Sequence, residues 1–161
     1  MKKIFTIVLF GAFCMVNAQA FKGKGDTKLN IGMTVQDGGT GIIGSTDFGL
    51  GENFSLGLQA SYLLGGSYID QVDFEYRFDA KARFNANLGN VLNVSPKFDV
   101  YPGLNLGLKN FGGHLGARYF FSDGFGIFTE FSVPFAKYDA DAASKYNNGT
   151  SFNIGASFNL D

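Results

Sequence analysis

The chain has no tryptophan, only 3 prolines and a single cysteine in 161 residues. One cysteine cannot close an internal disulfide, so no covalent staple holds this fold. So few prolines leave long stretches free to pair in ladders, because proline is the residue that removes a backbone donor. Charged residues make up 17%, below the roughly 25% usual in soluble domains. Neither sign dominates: 13 Lys and Arg stand against 14 Asp and Glu. That balance excludes the basic footprint of a nucleic-acid binder. After the N-terminal segment, no apolar run approaches the roughly 20 residues of a spanning helix. Against these shortages stand 23 glycines and 19 phenylalanines, and so rich an aromatic content excludes a disordered chain.

The first segment reads as an export signal. Lys2 and Lys3 form a positive start, and residues 4–16 are an apolar run too short to span a bilayer as a helix. Small residues fit cleavage after Ala18 or after Ala20, with the first preferred. Cys14 lies inside the segment and follows Phe13 rather than a small residue, so no lipid anchor is expected. Removing Lys2 and Lys3 takes Lys+Arg from 13 to 11 against 14 Asp+Glu, a formal charge of −3. The expected organisation is a signal peptide over 1–18 (alternatively ending at 20), a short periplasmic segment over 19–27, and one β-domain over 28–161.

What fills that domain is alternation. Val72, Phe74, Tyr76, Phe78, Ala80, Ala82 and Phe84 are apolar at every second position, interleaved with Asp73, Glu75, Arg77, Asp79, Lys81 and Arg83. A period of two marks a strand whose faces meet different media. Eight such segments can be marked: 28–36, 42–50, 54–64, 72–86, 97–108, 113–121, 125–135 and 150–160. Turn residues such as Asp37-Gly38-Gly39-Thr40-Gly41, Gly51-Glu52-Asn53 and Ser122-Asp123-Gly124 separate them. Pro102 falls inside the fifth and predicts a bulge or local break there. An even number of antiparallel strands of this length predicts an all-β, eight-stranded up-and-down transmembrane barrel.

The polar face is mostly Gly, Ser and Asn, with clustered charges, which suits a cramped lumen better than a soluble exterior. Its charges are Asp73, Glu75, Arg77, Asp79, Lys81, Arg83, Arg118 and Glu130, joined by Asp47, Lys97 and Asp99. They nearly cancel, as a buried ion-pair network requires. On the apolar face, Phe98, Tyr119, Phe121, Phe125 and Phe158 predict an aromatic girdle at the periplasmic rim. Tyr62, Phe135 and Phe152 predict a second girdle toward the outer rim. The alternative is a soluble lipocalin-like periplasmic carrier, with the same strand number and the apolar face turned inward.

The last strand, Ser151-Phe152-Asn153-Ile154-Gly155-Ala156-Ser157-Phe158, and the hairpin over 113–126 resemble small Gram-negative outer-membrane barrels of the OmpA/OmpX type. The resemblance spans the chain after its signal segment and implies a monomeric barrel in outer-membrane lipid, delivered by the barrel-insertion machinery. No peptidoglycan-binding domain is expected after the barrel. In that family the terminal residue is usually aromatic, whereas here Asn159-Leu160-Asp161 follow Phe158. The resemblance implies a structural or surface-interaction role through outer loops, chiefly 65–71 and 136–149, with any ligand or surface partner unspecified.

No constellation of residues specifies chemistry. His114 is the lone histidine and is expected in the lumen near the outer mouth. A lipid-modifying reading pairs it with Ser67 and with Asp70 or Asp139, but no spacing ties a nucleophile to it. Asp123, Asp139 and Asp141 lack calcium-loop spacing. Gly23-Lys24-Gly25 is no phosphate loop, because no helix follows it. The expectation is a protein that is not an enzyme, with no cofactor and no metal, whose lumen charges form a plug rather than a narrow pore.

Overall fold

A computed structural model describes residues 19–37, 39–66, 73–138 and 146–160. The expected signal segment over 1–18, together with Ser67, Asp70, Asp139 and Asp141, lies outside the described residues. Eight antiparallel strands follow in chain order: β1 (Thr27–Gln36), β2 (Gly39–Gly49), β3 (Phe54–Gly65), β4 (Phe78–Ala86), β5 (Phe98–Gly107), β6 (Asn110–Phe120), β7 (Phe125–Lys137) and β8 (Ser151–Asn159). Each pairs with its neighbour, and β1 pairs with β8, so the sheet closes into a barrel. Closure leaves no edge strand. At the seam Gly32 pairs with Gly155. A Cβ on either glycine would overlap backbone of the opposite strand, so the two strands approach here as only glycine allows.

Alternation becomes burial along every strand. In β3, Ser55, Gly57, Gln59, Ser61 and Leu63 are buried, while Leu56, Leu58 and Leu64 are exposed. In β1 the buried set is Lys28, Asn30 and Thr34, and Met33 on the opposite face is 59% exposed. Leu58 at 62% and Leu106 at 59% lie on the same outer surface. The inside is polar and the outside is aliphatic and aromatic. A soluble carrier needs the reverse, an apolar interior facing a ligand, so this finding removes the lipocalin-like alternative.

Residues 73–77 depart from the expected fourth strand. Phe74–Arg77 form a single helical turn, α1, with Asp73 as its extended N-cap, and β4 begins only at Phe78. One neighbour ends early. The β5–β6 hairpin turns at Leu108-Lys109, so the β4–β5 ladder starts at Lys81 opposite Gly107, with one further bond from Leu108 N–H to Ala80 O at 3.0 Å. Backbone groups left without a ladder make their own bonds, here from Tyr76 and Arg77 N–H to Asp73 O. The turn swings the Tyr76 ring inward, onto the pair Leu63 and Tyr146.

Other boundaries shift for similar reasons. β2 starts at Gly39 rather than Ile42, because Gly39 to Gly41 pair with Gln36 to Thr34. A Cβ on Gly41 would overlap the Tyr62 carbonyl, so this glycine serves close strand approach, not a turn. At Pro102, β5 continues unbroken against β6, while its ladder with β4 stops one residue on, at Gly103 opposite Asn85. The expected local break is therefore on one side only. The β4–β5 connection contains a second helical turn, α2 (Gly89–Leu92).

The segment 19–26 is not a loose leader to β1. Ala20 N–H donates to Pro96 O at 2.7 Å, and Asn90 Nδ2 donates to Phe21 O at 3.2 Å. Ala20 also packs on Phe120 of β6. Because β1 lies across the ring from β5, these contacts carry the segment over the mouth as a strap. The end it covers is termed proximal, and the opposite end distal.

Candidate functional site: the lumen network

The residues on the inner face meet in three tiers. In the proximal tier, Lys28 pairs with Asp26, donates to Asn159 Oδ1 at 2.8 Å, and lies 5.2 Å over the Phe120 ring. Arg118 binds Asp99 at 3.2 Å and donates to Asn87 Oδ1 at 2.7 Å. The Gly89 N–H of α2 donates to the other Asp99 oxygen at 2.8 Å, so the β4–β5 connection is tied to the network.

Arg83 centres the middle tier. It pairs with Glu130, lies 3.2 Å from Asp47, and donates to Gln59 Oε1 at 2.8 Å. Asp47 in turn accepts from Asn85 Nδ2 at 2.9 Å and lies 3.5 Å from Arg118, which links the two lower tiers. Asn153 Nδ2 reaches Glu130 at 3.3 Å. The Tyr101 ring is sandwiched by guanidinium groups, 4.4 Å from Arg118 and 5.9 Å from Arg83. Arg–carboxylate contacts of this density match the planar donor fork of arginine.

Glycines make the room. Gly57 lies opposite Arg83, Gly103 opposite His114, and Gly116 opposite Tyr101. A Cβ on Gly116 would overlap the Tyr101 ring, one on Gly103 the His114 ring, and one on Gly57 the Asp47 carboxylate. Each of these large inward side chains therefore lies over a neighbour with no side chain.

The distal tier is closed by a connection rather than by strands. Asn147, in a left-handed conformation (φ 57°), donates to Arg77 O at 2.6 Å and accepts from Gln36 at 2.9 Å. Asn110 Nδ2 donates to Asn147 O at 3.1 Å and to Asn148 Oδ1 at 2.9 Å. Lys109 Nζ donates to Tyr76 O at 2.6 Å. Lys109 lies in the β5–β6 turn, and partial burial holds its ammonium below the usual lysine range despite the pull of Asp79 and Glu75. Lys81 lies 3.5 Å from Asp79. Asp79, Thr34, Ser61, Asn147 and Asn153 line a residual chamber of about 10 Å³, room for about one water molecule.

Of the expected network residues, the barrel brings Asp79, Lys81, Arg83, Arg118 and Glu130 into the lumen. It does not place Asp73, Glu75 and Arg77 there. Asp73, the N-cap of α1, and Glu75 within its turn are both exposed. Arg77 Nε donates to Leu63 O at 3.0 Å, and its guanidinium lies 4.8 Å over the Tyr62 ring at the distal rim. The helical turn broke the alternation that placed them inward. His114 lies mid-strand rather than near a mouth, with Nε2 2.8 Å from Asn85 Oδ1. Ser132 is its cross-strand partner on β7, yet no hydrogen bond joins the two, and both are buried.

Residue parity already pointed at Lys28, Tyr101 and Phe120, which share faces with Asn30, Asp99 and Arg118. Nothing in the pattern pointed at Asn147, because it enters from a connection. On the outer face, Tyr119, Phe121, Phe125 and Phe158 form a continuous chain of ring contacts at the proximal rim, with Phe98 paired to Tyr119. Toward the distal rim, Tyr62 meets Phe74 in a tilted ring contact, Phe135 meets Phe111 edge-on, and Phe152 is exposed.

Comparison with solved structures places this architecture. The N-terminal β-barrel domain of Pseudomonas aeruginosa OprF superposes with a TM-score of 0.57 at 11% identity, covering 86% of this chain and 100% of that one. A de novo designed transmembrane β-barrel gives 0.59 at 12% identity, covering 86% and 98%. A second designed barrel, solved by NMR in solution, gives 0.54 at 11%, covering 87% and 98%. The fold is therefore the closed eight-stranded antiparallel barrel that these transmembrane structures share. No curated protein matches the sequence. Residues 11–160 match the model of a family of unknown function, DUF6646, and the chain belongs to that family.

Proposed function

We propose that this chain is an integral barrel of a Gram-negative outer membrane, exported by its N-terminal signal. On this reading its lumen does not conduct, and its work is structural or lies in surface contacts of the distal connections. The observation that carries the reading is the inverted partition of side chains: aliphatic and aromatic residues outside, a paired charge network inside. An outward apolar wall is unfavourable in water and favoured in hydrocarbon. The interior offers ion pairs, a guanidinium over the Tyr101 ring and a chamber of about one water where a pore needs a continuous path.

The distal end points outward on this reading, and surface contacts are assigned to the connections over 65–71 and 136–149, apart from the buried Tyr146, Asn147 and Asn148. His114 serves as a lumen filler bonded to Asn85, not as a catalytic base. Membrane fractionation tests the reading directly. The protein is expected to stay with envelopes through carbonate and salt washes and to leave only in detergent. Release without detergent refutes the membrane assignment. Planar-bilayer recording is expected to give no unitary conductance, and steady channel currents would replace the plug with a pore.

A further inference from the structure

The strap across the proximal mouth bears on how the chain is processed. Cleavage after Ala18 and cleavage after Ala20 both satisfy the small-residue rule, but they leave very different floors. Ala20 is 1% exposed, donates its N–H to Pro96 O at 2.7 Å, and packs on the fully buried Phe120. Phe21 is 3% exposed, and its carbonyl accepts from Asn90. Cleavage after Ala20 removes the first bond and that packing. It also turns the Phe21 nitrogen from an amide into an ammonium within the floor. Lys28 already places an ammonium over Phe120 there, and Asp26 is engaged by Lys28 and by the Lys22 N–H. An added buried cation without a dedicated counter-charge is unfavourable. Cleavage after Ala18 keeps every strap contact and puts the new terminus on Gln19, which is only partly buried.

We propose that the mature chain begins at Gln19 and that this residue is a modification site, closing on itself to pyroglutamate. The new α-amino nitrogen attacks the side-chain amide carbon Cδ of the same residue. The N–Cδ bond forms and the Cδ–Nε2 bond breaks. Ammonia leaves, carrying the proton that the amine gives up. The product is a neutral five-membered lactam, and no oxidant, metal or co-substrate is consumed. Phe21, the other candidate terminus, has no side-chain amide and cannot react this way. The lactam also suits its place. It removes a cation from the edge of a floor that already holds Lys28, and it leaves the Ala20 N–H free for Pro96.

The proposal rests on the export reading, which detergent fractionation tests independently. The test is tandem mass spectrometry of the N-terminal peptide from protein purified out of envelopes, with brief digestion at neutral pH. A synthetic peptide beginning Gln19-Ala20-Phe21 goes through the same work-up and reports any closure in the tube. The expected first peptide begins at residue 19, is lighter than encoded by one ammonia, and resists Edman degradation. Pyroglutamate aminopeptidase is expected to expose Ala20. A Gln19→Ser variant is expected to be cut at the same bond and to read Ser first. A native chain beginning at Phe21 overturns the cleavage site, and one beginning at an open Gln19 overturns the ring closure. A chain in the detergent fraction that keeps residues 1–18 overturns both.

Discussion

Replacing Arg83 with Met removes the hub of the middle tier while keeping its unbranched stem. Arg83 is 2% exposed, and its guanidinium faces Glu130, Asp47 and Gln59 together. After the change Asp47 keeps Asn85 at 2.9 Å and Arg118 at 3.5 Å. Glu130 is left with Asn153 alone, at 3.3 Å. A buried carboxylate that loses its cation costs about 3–5 kcal/mol. The single variant is therefore expected to lose about that much, read as the urea midpoint of the refolded barrel in detergent micelles. Adding Glu130→Gln removes the stranded charge, so the double variant is expected to recover at least about half of the loss. The cycle isolates the coupling, because contacting residues depart from additivity by about 0.5–3 kcal/mol. Two outcomes refute the reasoning: a midpoint unchanged in Arg83→Met, or single effects that add to within about 0.5 kcal/mol.

Gly116→Ala drives a Cβ into the Tyr101 ring and is expected to destabilise by about 1–3 kcal/mol. The same assay should show Gly116→Ala/Tyr101→Leu regaining part of that loss, and no regain would mean that the ring can simply move. Arg77→Ala removes only a rim contact with Tyr62 and one bond to Leu63 O, so about 1 kcal/mol or less is expected. A loss as large as that of Arg83→Met would return Arg77 to the lumen network. Nitroxide labels at Leu58 and Leu106, both exposed on the outer wall, are expected to be relaxed by oxygen in lipid bilayers and not by a water-soluble nickel reagent. The reverse ranking at both sites would reject the membrane orientation.

How much of this was legible in the sequence varies with what enforces each feature. Parity along a strand is local, so the inward placement of Arg83, Arg118 and Glu130 could be read from their alternation with Phe84, Tyr119 and Phe131. The turn at Asp73 to Arg77 keeps the same alternation in sequence and still leaves the strand. The β4–β5 ladder reaches back only to Lys81, and no residue of the segment encodes where a neighbouring hairpin ends. Asn147 and Ala20 close the two mouths from segments without periodicity, and their roles depend on contacts about 70 residues away. Small residues on the polar face already point to a cramped lumen, and Gly57 and Gly116 fall on that face by parity, whereas Gly41 reads as a turn and instead sits inside β2. What the pattern does not show is which large side chain each inner glycine makes room for, since that depends on register between strands.

That last point explains why a chain so short of charge can hold so many buried ions. An eight-stranded barrel leaves an interior just wide enough for side chains. If every inward position carried a medium-sized residue, the lumen would fill without leaving space for guanidinium groups to lie flat against carboxylates. Pairing Arg83 with Gly57, His114 with Gly103 and Tyr101 with Gly116 across adjacent strands concentrates the volume in a few long polar groups. Those groups can then cross the lumen and meet partners from the opposite wall, as Arg83 of β4 meets Glu130 of β7. The ion pairs thus tie together strands that share no ladder, a constraint that backbone pairing between neighbours cannot supply. A glycine-rich inner face and a sparse, matched set of charges are one feature of this fold, and neither serves without the other.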